Sequence, residues 1–470
     1  DAAGLLSAMT NAAGVRFTYQ YDAVGQLIAV TDSKGNQQHF EYDEQRDLVR
    51  IFFTDPSGDL TFQQQYEYDG QSQLIRVQSL QAEEQLSYNV DGKPVQRQDA
   101  LNAVEAFRYD GFNRLIKHID KQGNATEFRY DNSDQLSRVT DAEGKATSYY
   151  YDNFNQLRQL ISPDSGTSSF SYDAAGNRTS VTDARGIELQ YQYDALNRLI
   201  RVQHSGGAEH IELRYDEQHG IHPAVGQLTS VTDSIGETQY QYTEHGQLAL
   251  ARHQLGANWY SLGYSYEHGE RLKRVTLPSG SQVLYDYDST GRIHKLSLQQ
   301  LHGLQTLVSD IRYLPFGPIK SLHYGHGLTL HNEYDTDYKL VSRQLGSMLA
   351  LGYQYDALNN ITAIEQPLYG VSSEFGYDSL SRLISEFPAG RQFSYDSIGN
   401  RLRKEQAAGV TEYIYQPASH RLAERSGQHA TLYQYDAAGN MVQRGAQQFE
   451  YNAFGRMAEV TTPERELSYR

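Results

Sequence analysis

The chain has 470 residues, a formal net charge of −17 and no cysteine. The lack of cysteine excludes disulfides, thiolate metal sites and a cysteine nucleophile, and the acidic charge argues against a nucleic-acid partner, because phosphate binding needs clustered Lys and Arg. No apolar run of about 18 residues or more occurs, so the sequence predicts no transmembrane helix.

One sequence unit recurs along the chain, and residues 186–202 show it well. Tyr191 and Tyr193 alternate with polar residues, which is the period of two expected for a strand. Asp194 suits the first position of a type I turn, where its carboxylate accepts backbone N–H groups, and Asn197 suits the last position, where φ becomes positive. The branched residues that follow begin a return strand. The unit therefore predicts a β-hairpin.

The second tyrosine of this unit, which we call the anchor tyrosine, occurs 21 times, and fifteen copies carry Asp directly after it. From Tyr88 to Tyr193 the spacing is 21 residues without exception. We call the turn after each anchor the YD turn. The positions that we single out as the structural motif are Tyr109, Asp110, Asn113, Tyr130, Asp131, Tyr151, Asp152, Asn155, Tyr172, Asp173, Gly176, Tyr191, Tyr193, Asp194, Asn197, Tyr355, Asp356, Tyr435, Asp436 and Gly439.

A second turn of the same chemistry lies between anchors, as in Val139-Thr140-Asp141-Ala142-Glu143-Gly144. Each repeat therefore has two turns and two strands of roughly six or seven residues. Twenty-one repeats predict about 42 antiparallel strands in chain order, a ribbon about 200 Å long and about 20 Å wide. Because open sheets rarely exceed about ten strands without curling, we expect an all-β meander that curls as a spiral, single-layer wall.

Departures from the period mark loops or bends. Asp55-Pro56-Ser57-Gly58 lengthens one repeat, and two prolines in residues 314–318 suggest an edge or kink of the sheet. The period shortens to 18 residues before Tyr395 and 16 before Tyr451, which suggests tighter turns there. No linker separates domains, so we treat residues 1–470 as one segment of repeat wall, expected to be part of a longer polypeptide.

The recurrent Tyr-Asp-x-x-Gly/Asn-Arg-Leu core, seen in residues 109–115, 172–178 and 193–199, resembles the RHS or YD-repeat family. The resemblance covers the whole chain. It is closer in style to bacterial Rhs proteins and the B and C components of Tc toxins than to animal teneurins.

The resemblance implies a hollow β-cocoon that encloses a C-terminal toxin domain until delivery, by type VI secretion or through a Tc pore. It implies partners in the rest of the same polypeptide, namely an N-terminal plug and the toxin, and in spike or pore components. It also implies a secreted bacterial virulence factor, with a cell-surface location as the alternative. The family's core normally ends in repeated Asp-Pro-x-Gly motifs with an aspartyl self-cleavage; here the single such motif begins at Asp55.

Other chemistry is weakly indicated. His323, His326 and His331 form one histidine group, and His204, His210, His219 and His222 form a looser one. A metal site needs three or four converging ligands, but on a strand His323 and His326 face opposite sides, so we predict neither a metal nor a cofactor. We also predict no catalytic residue. Two alternatives stay open: sugar binding or adhesion by tyrosine-rich faces, and autoproteolysis through Asp55.

Overall fold

The computed structural model describes residues 4–207, 209–267, 271–427 and 430–468. Within these ranges the chain forms 44 β-strands and no helix, so no described helix could cross a membrane. The strands divide into two compact units. Unit 1 contains residues 4–106, its leading strip, and 261–381, its trailing strip; unit 2 contains residues 107–260, its leading strip, and 382–468, its trailing strip.

The leading strip of unit 1 contains β1 (Ala8–Thr10), β2 (Arg16–Tyr21), β3 (Leu27–Thr31), β4 (Gln37–Tyr42), β5 (Leu48–Thr54), β6 (Leu60–Tyr68), β7 (Leu74–Gln78), β8 (Glu83–Tyr88) and β9 (Pro94–Asp99), and β10 (Val104–Tyr109) lies at its end. The leading strip of unit 2 contains β11 (Leu115–Ile119), β12 (Ala125–Tyr130), β13 (Leu136–Thr140), β14 (Ala146–Tyr151), β15 (Leu157–Ser162), β16 (Gly166–Tyr172), β17 (Arg178–Thr182), β18 (Glu188–Tyr193), β19 (Leu199–His204), β20 (His210–Tyr215), β21 (Leu228–Thr232), β22 (Glu237–Tyr242) and β23 (Leu248–Leu255), and β24 (Asn258–Glu267) follows it.

The trailing strip of unit 1 contains β25 (Arg271–Thr276), β26 (Gln282–Tyr287), β27 (Ile293–Gln300), β28 (Gly303–Tyr313), β29 (Ile319–Tyr324), β30 (Thr329–Tyr334), β31 (Leu340–Leu345), β32 (Leu349–Tyr355), β33 (Ile361–Gln366) and β34 (Val371–Tyr377). The trailing strip of unit 2 contains β35 (Leu383–Phe387), β36 (Arg391–Tyr395), β37 (Arg401–Gln406), β38 (Gly409–Tyr415), β39 (Leu422–Arg425), β40 (Thr431–Tyr435), β41 (Met441–Arg444), β42 (Gln447–Tyr451), β43 (Met457–Thr461) and β44 (Glu466–Ser468).

Consecutive strands pair antiparallel within each strip, which confirms the predicted all-β meander. In unit 2, β17 pairs with β18 through Ser180 and Gln190, and β18 pairs with β19. At the YD turn the register shifts by one residue between Gln192 and Tyr193. This bulge arises because the turn residue Asn197 has a φ of +60°, as in a type I turn followed by a left-handed residue.

The sheet has little interior. The accessible surface is 26694 Å² for 53.3 kDa, whereas a compact monomer of this mass exposes about 18,000 Å². Thr229 and Ser230 are the largest described side chains that are less than 2% exposed. A second packed layer would bury many large apolar residues, so the low burial confirms the expected single layer.

The hairpins reverse alternately at YD turns and second turns. The YD turns therefore lie in a row along one side of each strip, which we call its YD edge, and the second turns lie in a row along the other side, which we call its second edge. In unit 1 the YD edge of the trailing strip contacts the second edge of the leading strip, where Lys34 Nζ lies 2.6 Å from Asp288 Oδ2. In unit 2 the same two edges meet where His420 Nε2 lies 2.5 Å from Asp141 Oδ2. The expected curl is therefore present in each unit, because strips distant in sequence lie edge to edge.

Residues 314–318 correct one expectation. They do not form a sheet edge, because β29 pairs with both β28 and β30. Leu314 N donates to Pro318 O and Gly317 N donates to Leu314 O, each over 3.0 Å, so the segment closes a hairpin. Its two prolines are tolerated because Pro315 occupies the second turn position and Pro318 contributes only its carbonyl.

The two shortened repeats contain the tighter turns that the short period suggests. Before Tyr395, residues 388–390 connect β35 to β36, and before Tyr451, residues 445–446 connect β41 to β42. The second of these is a two-residue connection, the shortest common hairpin loop.

Candidate functional site

The YD turn is the most repeated local structure of the chain. At Asp194 the carboxylate oxygen Oδ1 accepts hydrogen bonds from Leu196 N and Arg198 N, both over 2.9 Å, while Asn197 N donates to Asp194 O over 3.0 Å. The bond from Arg198 N lowers the pKa of the Asp194 carboxyl, and the nearby Arg198 guanidinium adds to that effect. The carboxylate therefore stabilises a turn and is occupied by backbone donors.

The other motif positions have the same arrangement. An Oδ1 atom accepts from the backbone N–H four residues later over 2.8–3.0 Å at Asp110, Asp131, Asp152, Asp173, Asp356 and Asp436. The left-handed position holds Asn113, Asn155, Gly176 and Gly439, with φ between +60° and +91°. The sheet also imposes positive φ where neither Gly nor Asn is present, at Arg46, Ser72, Asp134, Tyr338 and Ser381.

The anchor tyrosine has a role that the sequence did not reveal. Tyr193 donates its hydroxyl to Arg178 O over 3.0 Å, just beyond the last β17–β18 ladder pair at Ser180 and Gln190. The hydroxyl therefore satisfies a carbonyl at the start of the preceding repeat's return strand. Equivalent bonds of 2.5–3.1 Å are made by Tyr21, Tyr42, Tyr88, Tyr130, Tyr151, Tyr172, Tyr215, Tyr242, Tyr287, Tyr313, Tyr334, Tyr355, Tyr377, Tyr395, Tyr415 and Tyr451.

Three further motif tyrosines are Tyr109, Tyr435 and Tyr191. Burial raises the pKa of the Tyr109 and Tyr435 hydroxyls, as expected for phenols on a partly covered sheet face. Tyr191 lies two residues before its anchor, and the Arg178 guanidinium stacks on its ring at 4.9 Å.

The arginine of the Tyr-Asp-x-x-Asn-Arg core joins neighbouring repeats. Arg198 Nε lies 2.7 Å from Asp194 Oδ2 and Nη2 lies 2.7 Å from Asp216 Oδ2, and its guanidinium stacks on the Tyr215 ring at 4.4 Å. Arg114 bridges Asp110 and Asp134 in the same way and stacks on Tyr130. The recurrence of arginine at this motif position could have indicated this role, but the sequence alone did not show what the arginine contacts.

In unit 1 the contact between strips, which we call seam 1, is largely aromatic. Phe53 stacks on Phe62 at 4.7 Å between ring centroids, and Phe316 of the trailing strip lies 5.5 Å from Phe53. Tyr338 lies 5.3 Å from Phe62, and its hydroxyl donates to Pro315 O over 2.6 Å. Both lengthened or irregular turns noted in the sequence, at residues 55–58 and 314–318, therefore lie at seam 1.

In unit 2 the contact between strips, seam 2, is polar. His420 Nε2 meets Asp141 Oδ2, and His420 N donates to Asp164 Oδ1 over 2.7 Å. Lys145 Nζ lies 3.4 Å from His420 Nδ1. Arg421 Nε donates to Asp164 O over 2.8 Å. These partners are more than 250 residues apart in sequence, so no local pattern could have paired them.

The other candidate sites have ordinary surroundings. Asp55 Oδ1 accepts from Ser57 N and Asp59 N over 2.9 and 3.0 Å, the same turn geometry as at Asp194. His323 lies 3.7 Å from Asp310, whereas His326 stacks on Tyr324 and His331 lies 3.9 Å from Glu333.

The looser histidine group is similarly dispersed. His219 Nε2 lies 3.2 Å from Glu217 Oε2, His204 and His210 belong to the adjacent strands β19 and β20, and His222 lies in the lengthened turn before β21. In the part of the chain that the structure describes, no group of three or more His, Asp or Glu side chains is arranged to hold a metal ion.

The fold and its turns define a class of protein, a single-layer antiparallel β-sheet built from tyrosine-anchored hairpins. A family model described as Teneurin YD-shell matches residues 54–258, 208–309 and 299–470, and one described as RHS Repeat matches residues 1–37 and 21–51. The chain belongs to this YD-shell family of RHS-repeat proteins. No curated protein matches the chain significantly.

Solved structures share the fold. A Photorhabdus luminescens Tc holotoxin pore with a mutated TccC3 has a TM-score of 0.73 at 16% identity, covering 97% of this chain and 28% of that chain. The TcdB2-TccC3-TEV structure has a TM-score of 0.76 at 16% identity, covering 97% and 29%. The TcdB2-TccC3 structure has a TM-score of 0.58 at 15% identity, covering 97% and 35%. The chain thus spans only about a third of their length.

Proposed function

We propose that the chain is a wall segment of an encapsulating shell in a secreted bacterial toxin system. The observation that carries this proposal is a single-layer sheet whose fold follows TcdB2-TccC3 chains over 97% of its length. A sheet that buries so little within itself is suited to bounding a volume. The enclosed material would be a toxin domain of the same polypeptide, held until delivery.

A structural role fits the chemistry of the repeat. The recurrent carboxylates bind backbone N–H groups, the anchor hydroxyls bind backbone carbonyls, and the recurrent arginines bridge neighbouring turns. These are the groups that a catalytic or metal site would otherwise use. We therefore propose a non-enzymatic protein without a cofactor, acting with the rest of its polypeptide and with spike or pore components after secretion.

Protease protection tests the shell proposal. In the native polypeptide that contains this chain, an added broad-specificity protease should cut the toxin domain far more slowly than it cuts the same domain expressed alone. Asp141→Asn, which weakens seam 2, should raise the cleavage rate. The matched change Asp131→Asn, at an exposed YD turn, should leave it unchanged. Cleavage as fast as that of the free domain would exclude encapsulation.

Autoproteolysis through Asp55 stays a separate hypothesis, and Asp55→Asn decides it. The geometry at Asp55 predicts that this variant retains the turn acceptor Oδ1 and leaves processing unchanged. Loss of a processing product in the native polypeptide would show that Asp55 has a catalytic role.

Sugar binding is a second candidate, favoured by one local feature. Trp259 and Tyr260 are 39% and 46% exposed, and the Arg252 guanidinium stacks on Trp259 at 4.8 Å. Aromatic faces of this kind can stack on sugar rings, whereas most anchor hydroxyls are bound to carbonyls. A glycan array that shows binding lost in Trp259→Ala would support adhesion, and equal binding by the variant would exclude this site.

A further inference from the structure

Three neighbouring strands of unit 1 bring two histidines to one carboxylate. His294 belongs to β27 and His323 to β29, and Asp310 belongs to β28, which pairs with both of these strands. His294 Nε2 lies 3.8 Å from Asp310 Oδ1, and His323 Nδ1 lies 3.7 Å from Asp310 Oδ2. Sequence spacing grouped His323 with His326 and His331, whereas strand pairing groups it with His294 and Asp310.

Asp310 occupies an irregular position in its strand. The register of β28 against β29 shifts between Ser309 and Arg312, in addition to the shift at the anchor Tyr313. Asp310 has a φ of +48°, a left-handed conformation that is unfavourable for a residue with a side chain. Bulges of this kind re-aim side chains. The anchor bulges accompany the reversal of the chain, whereas this one lies within a strand and places one carboxylate beside two histidines.

The three groups are the ligand types of a zinc site. Two imidazole nitrogens and one carboxylate oxygen, with water in the fourth position, form a tetrahedral zinc centre. Ligand atoms bonded at about 2.0–2.2 Å lie roughly 3.4 Å apart in a tetrahedron. Each histidine contact to Asp310 is therefore only a few tenths of an ångström longer than a zinc site requires.

The side chains have the freedom to close this gap. As they stand, no group of three in the described chain is arranged to hold an ion, but the His294, Asp310 and His323 side chains are 45%, 54% and 49% exposed. The strands beneath them are held in place, because the adjacent Ile311 and Leu322 are buried. Rotation of half-exposed side chains on a packed sheet would bring the ligand atoms together.

We propose that His294, Asp310 and His323 bind Zn²⁺, which joins β27, β28 and β29 on one face of the sheet. The ligand set selects the ion. Mg²⁺ and Ca²⁺ require several oxygen ligands, and here a single carboxylate stands between two imidazoles, the ligand that suits Zn²⁺. The proposal does not depend on an enclosed cargo.

Calorimetric titration of the full chain with Zn²⁺ tests the site. We expect binding with a Kd on the order of 10 μM, weakened at least about tenfold in each of His294→Gln, Asp310→Asn and His323→Gln. His326→Gln is the matched control, because that ring lies close by in sequence but stacks on Tyr324 at 5.4 Å, and its Kd should be unchanged. An excess of Mg²⁺ should not compete with Zn²⁺.

NMR of the native chain tests the same site without a substitution. The chain has 16 histidines, so Zn²⁺ should shift the imidazole signals of His294 and His323 at lower concentration than those of the others. Three outcomes would each overturn the proposal. These are no binding at about 1 mM Zn²⁺, an equal loss of affinity in His326→Gln, and shifts at other histidines without shifts at these two, which would show adventitious binding only.

Discussion

Seam 1 and seam 2 join the same two kinds of edge, a YD edge and a second edge, but through different side-chain contacts. Seam 1 packs four aromatic rings, from Phe53, Phe62, Phe316 and Tyr338. Seam 2 uses an Asp–His–Lys contact and arginine bonds to carbonyls. The repeat therefore specifies where strips can meet, while residues outside the motif specify how strongly, and with what dependence on salt, each contact holds.

The largest effect should come from removing what both units share, the anchor tyrosine bonds within each strip. Burial raises the pKa of Tyr193, Tyr287 and Tyr415 above the ordinary value of 10.0. A raised pKa means that the folded state favours the neutral phenol, so this stabilisation is complete below pH 10 and is lost as pH rises through the folded pKa. We expect unfolding of both units above about pH 10, measured by circular dichroism. A chain that keeps its ellipticity well above that pH would contradict this role.

The next largest effect should be confined to seam 1. Phe53→Ala removes the ring that contacts both Phe62 and Phe316, so we expect a loss of about 2–4 kcal/mol and faster hydrogen exchange at residues 53–62 and 314–338. The matched control is Phe154→Ala, where the ring is 83% exposed and the change should stay within about 0.5 kcal/mol. Equal losses for the two variants would show that seam 1 contributes nothing beyond general sheet stability.

Seam 2 should be weaker and should depend on salt. Asp141→Asn retains the turn acceptor Oδ1 but presents an amide donor to His420, so we expect a loss of about 1–2 kcal/mol and faster exchange around residue 420. Raising ionic strength to about 1 M should weaken seam 2 more than seam 1, because salt screens charges and not aromatic packing. Asp131→Asn is the control at an undocked turn. An equal loss of stability at the two seams in high salt would contradict the difference that we describe between a polar and an aromatic seam.

The smallest effect should come from the loss of a single anchor tyrosine hydrogen bond. Tyr193→Phe leaves Arg178 O without its hydroxyl donor, and we expect a loss of about 0.5–1.5 kcal/mol. Tyr150→Phe is the control, since that ring is 51% exposed. Thermal denaturation compares the two. A loss at position 150 as large as that at position 193 would remove the special role of the anchor.

The fold was predictable because its determinants are local and repeated. Asp194 and Asn197 lie three residues apart, within one turn, and an alternating strand such as β18 shows its period in six residues. The predicted 42 strands compare with 44 observed. The error at residues 314–318 arose because the prolines were judged as strand residues, although the structure places them in a turn that needs no donor from either.

The candidate contacts were less predictable. The motif contained the anchor hydroxyl and the arginine, but their partners lie in the neighbouring repeat: Tyr193 binds the carbonyl of Arg178, and Arg198 binds Asp216. A periodic sequence can suggest such a ladder, yet it does not say which atom each group meets. Arg46 and Tyr338 likewise adopt positive φ because the bulge demands it, against their own preference.

By itself the sequence determined the hairpin, its two turns, the all-β class and the family, since each follows from residues within about twenty positions of one another. Only the tertiary structure decided that His420 meets Asp141, 279 residues away, and that Phe316 meets Phe53 of another strip, whereas Phe112 contacts Arg114 of its own turn. The physical reason is that strip contacts depend on twist and curl accumulated over many strands, and no single repeat encodes that sum.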